Sequence, residues 1–308
     1  MIAPRLRKAL AGISGILVTP FDAQDRLAPA RLKPIVERAV RAGVHALVAN
    51  GNTSEFYGLT TKEAETMVHA AAEHNAKRAV LIGGVGRSIH DAIALTKASR
   101  DAGAEALMVH QPPDPFVSPR GVVSYVQRIA DAGGGLPIML YLRNDGIGLD
   151  AIEKLCAVPG VAGVKWACPT PLKLADAIRR CSPDIVWVDG LAEPWAPPFY
   201  AVGARGFTSG LINVWPEHSV AIHAALDANG YERARKLIQV MAPFEELRAE
   251  EQNGTNVTVV KAALQLIGED CGATRPPSAW PLTEAQQQRL RKVLAAWGVR
   301  SAVAELSK

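Results

Sequence analysis

The chain has 308 residues, of which 48% are hydrophobic and 21% charged, a composition typical of a globular protein with a large buried core. Its 34 basic and 30 acidic residues give a formal net charge of +4, too little for a nucleic-acid-binding surface. No apolar run reaches the roughly 18 residues of a membrane span, and the basic start is not followed by the apolar core of a signal peptide. We therefore expect a soluble cytoplasmic protein without a nucleic-acid or membrane partner.

The four cysteines favour neither a disulfide framework nor a metal site. None belongs to a Cys-x-x-Cys pair, and no histidine stands at metal-ligand spacing from them. They are Cys156, Cys168, Cys181 and Cys271. We expect reduced packing cysteines, no metal and no cofactor.

Eight short apolar runs alternate with longer, Ala-rich amphipathic stretches, a pattern typical of repeated βα units with a parallel sheet. The predicted strands are Ile13–Thr19, Val44–Asn50, Ala79–Val85, Glu105–His110, Pro137–Tyr141, Val161–Trp166, Ile185–Asp189 and Gly206–Ser209. Gly43, Gly103 and Gly203 stand at joints between a helix and the next strand, where a helix C-cap favours positive φ. Eight such units close most naturally into a (β/α)8 barrel, which we predict over residues 1–225.

Three helical stretches follow the eighth predicted strand and exceed what a barrel needs. They are Tyr231–Glu250, Val257–Gly268 and Thr283–Trp297, the last opened by Thr283 as N-cap with Glu284 in its first turn. We predict that residues 226–308 form a C-terminal helical extension packed on the barrel, a position that often supports contacts between subunits.

In a barrel of this kind the active site forms at the C-terminal ends of the strands, and one lysine there is unusual. Lys165 follows Val161–Val164 in a run typical of a buried strand, and lysine is rarely buried without a function. A desolvated amine has a lowered pKa and becomes a nucleophile that forms Schiff bases with carbonyl substrates. The alternative is a strand-end lysine that extends to solvent.

Two other strand ends add polar groups. Tyr141 closes the preceding strand, where its phenol would act as a proton shuttle for a substrate bound to Lys165; the alternative is a packing tyrosine. The loop Gly51–Glu55 ends the second strand and is expected to begin a helix, so that its N–H groups and hydroxyls would bind a carboxylate. The alternative for the loop is a simple N-capping turn.

Several motifs in these positions resemble the dihydrodipicolinate synthase / N-acetylneuraminate lyase family. They are Thr19-Pro20-Phe21, the Gly-x-Thr-x-Glu loop at Gly51–Glu55, Tyr141 and Gly163-Val164-Lys165, and the resemblance continues through Gly203–Asn213 and Asn256–Gly268. That family is built as a (β/α)8 barrel with a C-terminal helical part, is usually a homotetramer, and uses class I lyase chemistry without metal. The resemblance implies that Lys165 makes the Schiff base, Tyr141 moves protons, and Asn52 and Thr53 bind the substrate carboxylate.

The sequence departs from the synthase members of that family after Tyr141. The synthases have Asn-x-Pro there and, five residues on, an arginine that binds a second substrate, whereas this chain has Leu142-Arg143-Asn144-Asp145-Gly146. The second tyrosine that the synthases place after the fourth strand is also absent, because this chain has Pro112–Phe116 at that point. We therefore do not expect a role in lysine biosynthesis.

The run Tyr141–Asn144, together with Gly190–Glu193 and Thr208–Asn213, is most similar to the branch that dehydrates keto-deoxy sugar acids, exemplified by 5-dehydro-4-deoxyglucarate dehydratase. Three positions depart from the usual residues of the branch or family, namely Asn52, Ser54 and Leu142. The resemblance implies a lyase acting on a small 2-oxo acid, as a dehydratase, with or without decarboxylation, of a 2-keto-3-deoxy sugar acid.

Further substrate-binding candidates follow from their positions at strand ends. They are Thr19, Asp189, Gly190, Ser209 and Arg143. The planar guanidinium of Arg143 suits a distal carboxylate, and a surface ion pair is the alternative. Two other functions stay open, a pyruvate-releasing aldolase of the same family and a non-catalytic sugar-acid-binding barrel. We expect a homo-oligomer, a tetramer or a dimer.

Overall fold

Eight parallel strands form a closed barrel in the computed structural model, which describes residues 2–298. Each strand pairs with the next along the chain, and β8 closes on β1 with Ser14 opposite Thr208. The strands are β1 Ile13–Ile16, β2 Ala46–Ala49, β3 Val80–Val85, β4 Ala106–His110, β5 Ile138–Leu142, β6 Val161–Trp166, β7 Val186–Asp189 and β8 Phe207–Ser209. The predicted (β/α)8 barrel is confirmed, and each predicted strand overlaps an observed one.

Helices flank the barrel, and most of them connect consecutive strands. They are α1 Pro4–Leu10, α2 Lys33–Ala42, α3 Thr61–Asn75, α4 Ile89–Asp101, α5 Pro119–Gly133, α6 Leu149–Cys156, α7 Pro171–Arg180, α8 Ala196–Ala201 and α9 Pro216–Asp227. The three joint glycines have φ values of 89° (Gly43), 84° (Gly103) and 117° (Gly203), in the region that glycine enters without steric cost. This backbone requirement explains why glycine recurs at the joints.

The barrel interior is filled with apolar side chains, so a ligand has room only at one end. Strand residues alternate between the interior and the helices, and the inward set includes Ile16, Val48, Ile82, Met108, Met139 and Val188. Leu6 and Leu10 of α1 pack into the same cluster and close the end from which the strands start. The open end is therefore the one where the strands finish. We call this end the barrel mouth and its solvent-exposed edge the rim.

Three helices follow the barrel: α10 Tyr231–Asn253, α11 Asn256–Leu266 and α12 Glu284–Ala296. The regular part of α10 ends just before Glu250, within one residue of the predicted end, because residues 250–252 leave helical geometry. Thr283 is the N-cap of α12 in a capping box with Gln286. Within residues 2–298, no helix is long and apolar enough to span a bilayer; residues 299–308 of the predicted extension lie outside the described residues.

Candidate active site

Lys165 lies at the end of β6 with its side chain in the barrel mouth. Its neighbours in register are Tyr141 on β5 and Val188 on β7. Only 3% of the residue is exposed, so it does not extend to solvent. Burial lowers the pKa of its amine to about 7, with help from the positive charge of Arg143 and against the opposing charge of Asp189. A large fraction of the amine is thus uncharged, and nucleophilic, near neutral pH.

Tyr141 packs against this amine and is hydrogen-bonded to the loop after β2. Lys165 Nζ lies 3.8 Å from the centroid of the Tyr141 ring, and Asn52 Nδ2 donates to Tyr141 Oη at 2.8 Å. Burial raises the pKa of the phenol to about 12. The phenol is therefore protonated at neutral pH, and its O–H remains free to donate, because Asn52 uses only an oxygen lone pair.

The loop Gly51–Glu55 forms a tight turn stabilised by its own serine. Ser54 Oγ accepts from the Gly51 N–H at 3.0 Å and donates to the Leu17 carbonyl at 2.5 Å. Within residues 2–298, the backbone N–H groups of Asn52 and Thr53 have no acceptor. Two adjacent free N–H groups near a buried amine are suited to bind a carboxylate.

The expectation that this loop begins a helix is wrong. A short 3-10 turn, Phe56–Gly58, follows it, and α3 begins only at Thr61. Glu55 interrupts the helical geometry with a φ of 56°. Any anion affinity of the loop therefore comes from the individual N–H groups of the turn rather than from a helix dipole.

The hydroxyl of Thr19 is hydrogen-bonded to the backbone of this turn. Thr19 is fully buried, and its Oγ1 donates to the Ser54 carbonyl at 2.7 Å. Its only donor is therefore engaged by the protein. Thr19 thus supports the turn, and its contact with a substrate stays a prediction.

Asp189 and Gly190 shape the loop that follows β7. Asp189 alternates with the inward-facing Val188, so its side chain lies on the outer side of the barrel. Its Oδ1 accepts from the Leu191 N–H at 2.7 Å, and burial raises the pKa of the carboxyl. At Gly190 a Cβ would come within 2.7 Å of the Ala167 Cβ. Glycine is therefore required for the close approach of the two loops.

Ser209 also faces away from the barrel mouth. Its hydroxyl donates to Glu193 Oε1 at 2.6 Å and lies 3.1 Å from the hydroxyl of Ser219 on α9. Phe207, two residues earlier, packs near His223 of the same helix. The residue of β8 that faces the interior is therefore Thr208, which was not among the predicted site residues.

Arg143 is exposed at the rim, and its positive charge reaches the whole mouth. Its charge adds to the effect of burial in lowering the pKa of Lys165, and it opposes the rise that burial causes in the pKa values of Tyr141 and Tyr57. Gln111 fixes its backbone, because Gln111 Oε1 accepts from the N–H groups of Arg143 and Asn144 at 2.9 and 2.8 Å. Within residues 2–298 its guanidinium forms no ion pair, so the rim carries an available cation.

Two aromatic residues at the mouth complete the site, His110 at the end of β4 and Tyr57 after the turn. His110 Nε2 lies 2.9 Å from the Asn50 carbonyl, its ring packs edge-on to Tyr141, and burial lowers its pKa to about 3. Tyr57 is 43% exposed, and its Oη lies 3.5 Å from His110 Nδ1. His110 was recognisable as a polar strand end, whereas no pattern indicated Tyr57, which reaches the site only through the fold of its loop.

The model of the dihydrodipicolinate synthetase family matches residues 9–297. The chain belongs to this family. Its members are lyases or synthases that use a lysine Schiff base, and the chain is accordingly a member of a lyase family.

Relatives of two activities resemble the chain across its length. A 4-hydroxy-tetrahydrodipicolinate synthase of Methanoculleus marisnigri is 29% identical over 93% of this chain and 99% of that protein. A probable 5-dehydro-4-deoxyglucarate dehydratase of Bacillus subtilis is 25% identical over 94% of this chain and 95% of that protein. The crystal structure of dihydrodipicolinate synthase from Bacillus clausii is 35% identical, with a TM-score of 0.91, and covers 95% of this chain and 99% of that one. Because relatives of both kinds resemble the chain to a similar extent, overall similarity does not distinguish the two activities.

Proposed function

We propose that this family member is a dehydratase of a 2-keto-3-deoxy sugar acid such as 5-dehydro-4-deoxyglucarate. The observation that carries the proposal is the buried amine of Lys165 packed on Tyr141, with a free cation, Arg143, at the rim. An uncharged, buried lysine amine is suited to attack a ketone. A cation at the rim is suited to a second carboxylate, which keto-deoxy aldarates have.

The reaction begins when the Lys165 amine adds to the C2 ketone of the substrate. One proton passes from the amine to the former ketone oxygen and a second comes from an acid, so that the oxygen leaves as water and a positively charged iminium, which keeps one N–H, remains. The phenol of Tyr141 supplies that second proton, since its pKa of about 12 keeps it protonated at neutral pH. Having given that proton, the phenolate can accept another one. The N–H groups of Asn52 and Thr53 bind the adjacent C1 carboxylate during these steps.

Elimination follows from the iminium. The iminium acidifies the C3–H bond, whose proton passes to the Tyr141 phenolate or to a substrate carboxylate, and an enamine forms. The enamine electrons then expel the C4 hydroxyl as water after it accepts a proton. Hydrolysis of the resulting conjugated iminium returns the free amine and releases the dehydrated 2-oxo acid. A carboxylate placed to lose its C–C electrons into the iminium would leave as CO2 before hydrolysis.

Arg143 is the proposed ligand of the distal carboxylate. A guanidinium binds a carboxylate through two parallel N–H···O bonds, which fixes the orientation as well as the charge. Gln111 holds the backbone at Arg143 and Asn144 in place through three hydrogen bonds. A clamp positioned in this way favours a dicarboxylic substrate over pyruvate.

A second candidate is carbon–carbon chemistry on the same iminium, and the synthase relatives favour it. An aldolase would break the C3–C4 bond and release pyruvate. The product distinguishes the two reactions, because only pyruvate is reduced by lactate dehydrogenase with consumption of NADH. A dehydratase would consume the sugar acid without that signal.

The proposal is tested by intact-protein mass after borohydride treatment with pyruvate or with a panel of 2-keto-3-deoxy acids. The wild type should gain the mass of one reduced adduct, and Lys165→Ala should gain none. Product analysis of the acid that gives the adduct then separates dehydration from cleavage. The absence of an adduct with every acid would overturn the Schiff-base mechanism.

A further inference from the structure

A second lysine, Lys261 on α11, is fully buried and has no part in the proposed chemistry. Its Nζ lies 2.5 Å from Glu55 Oε1, donates to the Ala273 carbonyl at 3.0 Å and lies 4.3 Å from the centroid of the Phe21 ring. Glu55 is the last residue of the Gly51–Glu55 turn, and its carboxylate is 4% exposed. The extension after the barrel thus places one charge directly against the turn.

The second oxygen of Glu55 is also bound by the extension. Glu55 Oε2 accepts a hydrogen bond from the backbone N–H of Arg275 at 2.8 Å. The guanidinium of Arg275 lies 4.1 Å from the centroid of the Phe21 ring. Glu55 itself has a φ of 56°, which is unfavourable for a residue with a side chain and persists only where the surroundings hold it. Lys261 and Arg275 supply that restraint.

The geometry of this turn determines the geometry of the pocket. The backbone that Glu55 terminates carries the two unpaired N–H groups of Asn52 and Thr53, and Asn52 is the residue that binds the phenol of Tyr141. Among the described residues, the barrel contacts this turn through neutral hydrogen bonds that involve Thr19, Ser54 and Asn52. A small rotation at Glu55 would therefore move both the carboxylate-binding groups and the amide that orients Tyr141.

We propose that Lys261 is a positioning residue for the active site: its ion pair with Glu55 fixes the turn that binds the substrate carboxylate, which makes the C-terminal extension a working part of that site. This inference rests on the proposed function. It gives α11 a role beyond packing, and it predicts that loss of the ion pair weakens the binding of a 2-oxo carboxylate more than it slows later steps.

The test uses Lys261→Met, Glu55→Gln and the double variant. Pyruvate is the probe, because its carboxylate adjoins the ketone and it does not need Arg143. The pyruvate concentration for half-maximal borohydride trapping should rise about 100-fold in Lys261→Met, the scale expected when reacting groups are displaced by about 1 Å. The trapping rate at saturation should fall less. The double variant should lose no more than Lys261→Met alone, because the two residues act as one unit.

A matched control separates positioning from general destabilisation. Arg38 on α2 forms an ion pair with Glu269 after α11, which also joins barrel to extension but does not contact the turn. Arg38→Met should lower the melting temperature while leaving pyruvate trapping within about two-fold of wild type. Equal loss of trapping in Arg38→Met would overturn the proposal.

Hydrogen exchange gives a measure that does not depend on activity. The hydrogen-bonded amides of Gly51, Ser54 and Glu55 should exchange at least about ten-fold faster in Lys261→Met and Glu55→Gln than in Arg38→Met. If Lys261→Met fails to fold, Glu55→Gln carries the same comparison, because it removes the charge and keeps an acceptor for Arg275. Unchanged exchange in the folded variants overturns the positioning role. A wild type without any adduct would instead overturn the lyase function, while the exchange result would still decide the role of Lys261.

Discussion

The amine of Lys165 lies 3.8 Å from the centroid of the Tyr141 ring, and the hydroxyl of that tyrosine accepts a hydrogen bond from Asn52. This relationship joins residues from three separate strand ends into one site. It also brings together two groups whose pKa values burial moves in opposite senses, the amine down to about 7 and the phenol up to about 12. A nucleophile and a proton donor are thereby both in their working forms near neutral pH.

The rate of adduct formation should rise with pH through about 7, because only the uncharged Lys165 amine attacks a ketone. Arg143 lowers this pKa, so Arg143→Gln should move the midpoint of the profile to higher pH. The measurement is the rate of borohydride trapping with pyruvate between about pH 5.5 and 9, at constant ionic strength. A midpoint above 9 in the wild type would contradict the buried, uncharged amine.

Replacement of Lys165 by methionine should stabilise the fold by about 1–2 kcal/mol while abolishing the adduct. The pKa of Lys165 is lower in the folded protein than in the unfolded chain, so the unfolded chain binds more protons between about pH 7 and 10.5, and the wild type gains stability as the pH rises through this window. Lys165→Met lacks this dependence. Urea denaturation at pH 6.5 and 9 measures both effects, and the stabilisation should be larger at pH 6.5.

Tyr141→Phe should lower the rate of adduct formation about 100- to 10,000-fold, because the proton donor for the departing oxygen is lost. Lys165 keeps its aromatic neighbour, so the melting temperature should change little. Asn52→Ala should have a smaller effect on the rate, since the phenol remains but is no longer oriented. Stopped-time trapping with mass detection follows both variants. A Tyr141→Phe variant as fast as wild type would remove the tyrosine from the mechanism.

Ser209 and Thr208 should give opposite results, because they face opposite sides of β8. Ser209→Ala removes a donor from the buried Glu193 carboxylate and should cost about 1–3 kcal/mol of folding free energy. Its adduct formation should stay near wild type. Thr208→Val should leave stability nearly unchanged and alter substrate binding at the mouth. Denaturant titration and trapping on both proteins test the alternation, which a reversed pattern would refute.

Arg143→Gln should weaken the binding of a dicarboxylic 2-keto-3-deoxy acid about ten- to 100-fold, the range for loss of a charge-assisted hydrogen bond. Half-maximal trapping by pyruvate, which has no distal carboxylate, should shift by less than about three-fold when each protein is measured above its own amine pKa. The quantity to compare is the change in half-maximal trapping concentration for the dicarboxylic acid divided by that for pyruvate. Equal shifts for both acids would show that Arg143 acts only through the general field of the mouth.

The sequence by itself determined the strand and helix pattern, because alternation of apolar runs and C-cap glycines are local properties of the chain. It also identified Lys165 and Tyr141 as polar residues at predicted strand ends, which the closed barrel brings into contact. At Ser209 the local pattern did not predict the correct inward-facing residue. A shift of one residue reverses the face of a strand, and the end of an apolar run does not show which of two polar residues faces inward.

Only the tertiary structure decided how the loops complete the site. Thr19, Asp189 and Ser209 end predicted strands, but each has a polar atom bound by a neighbour distant in sequence or by the adjoining turn. Tyr57 and Lys261 carry no local signature of a role, because their positions depend on the path of a turn and on the packing of α11 against it. The periodicity of apolar residues indicates which face of a helix or strand is buried. The side chain that pairs with a buried charge depends instead on contacts between residues far apart in the chain.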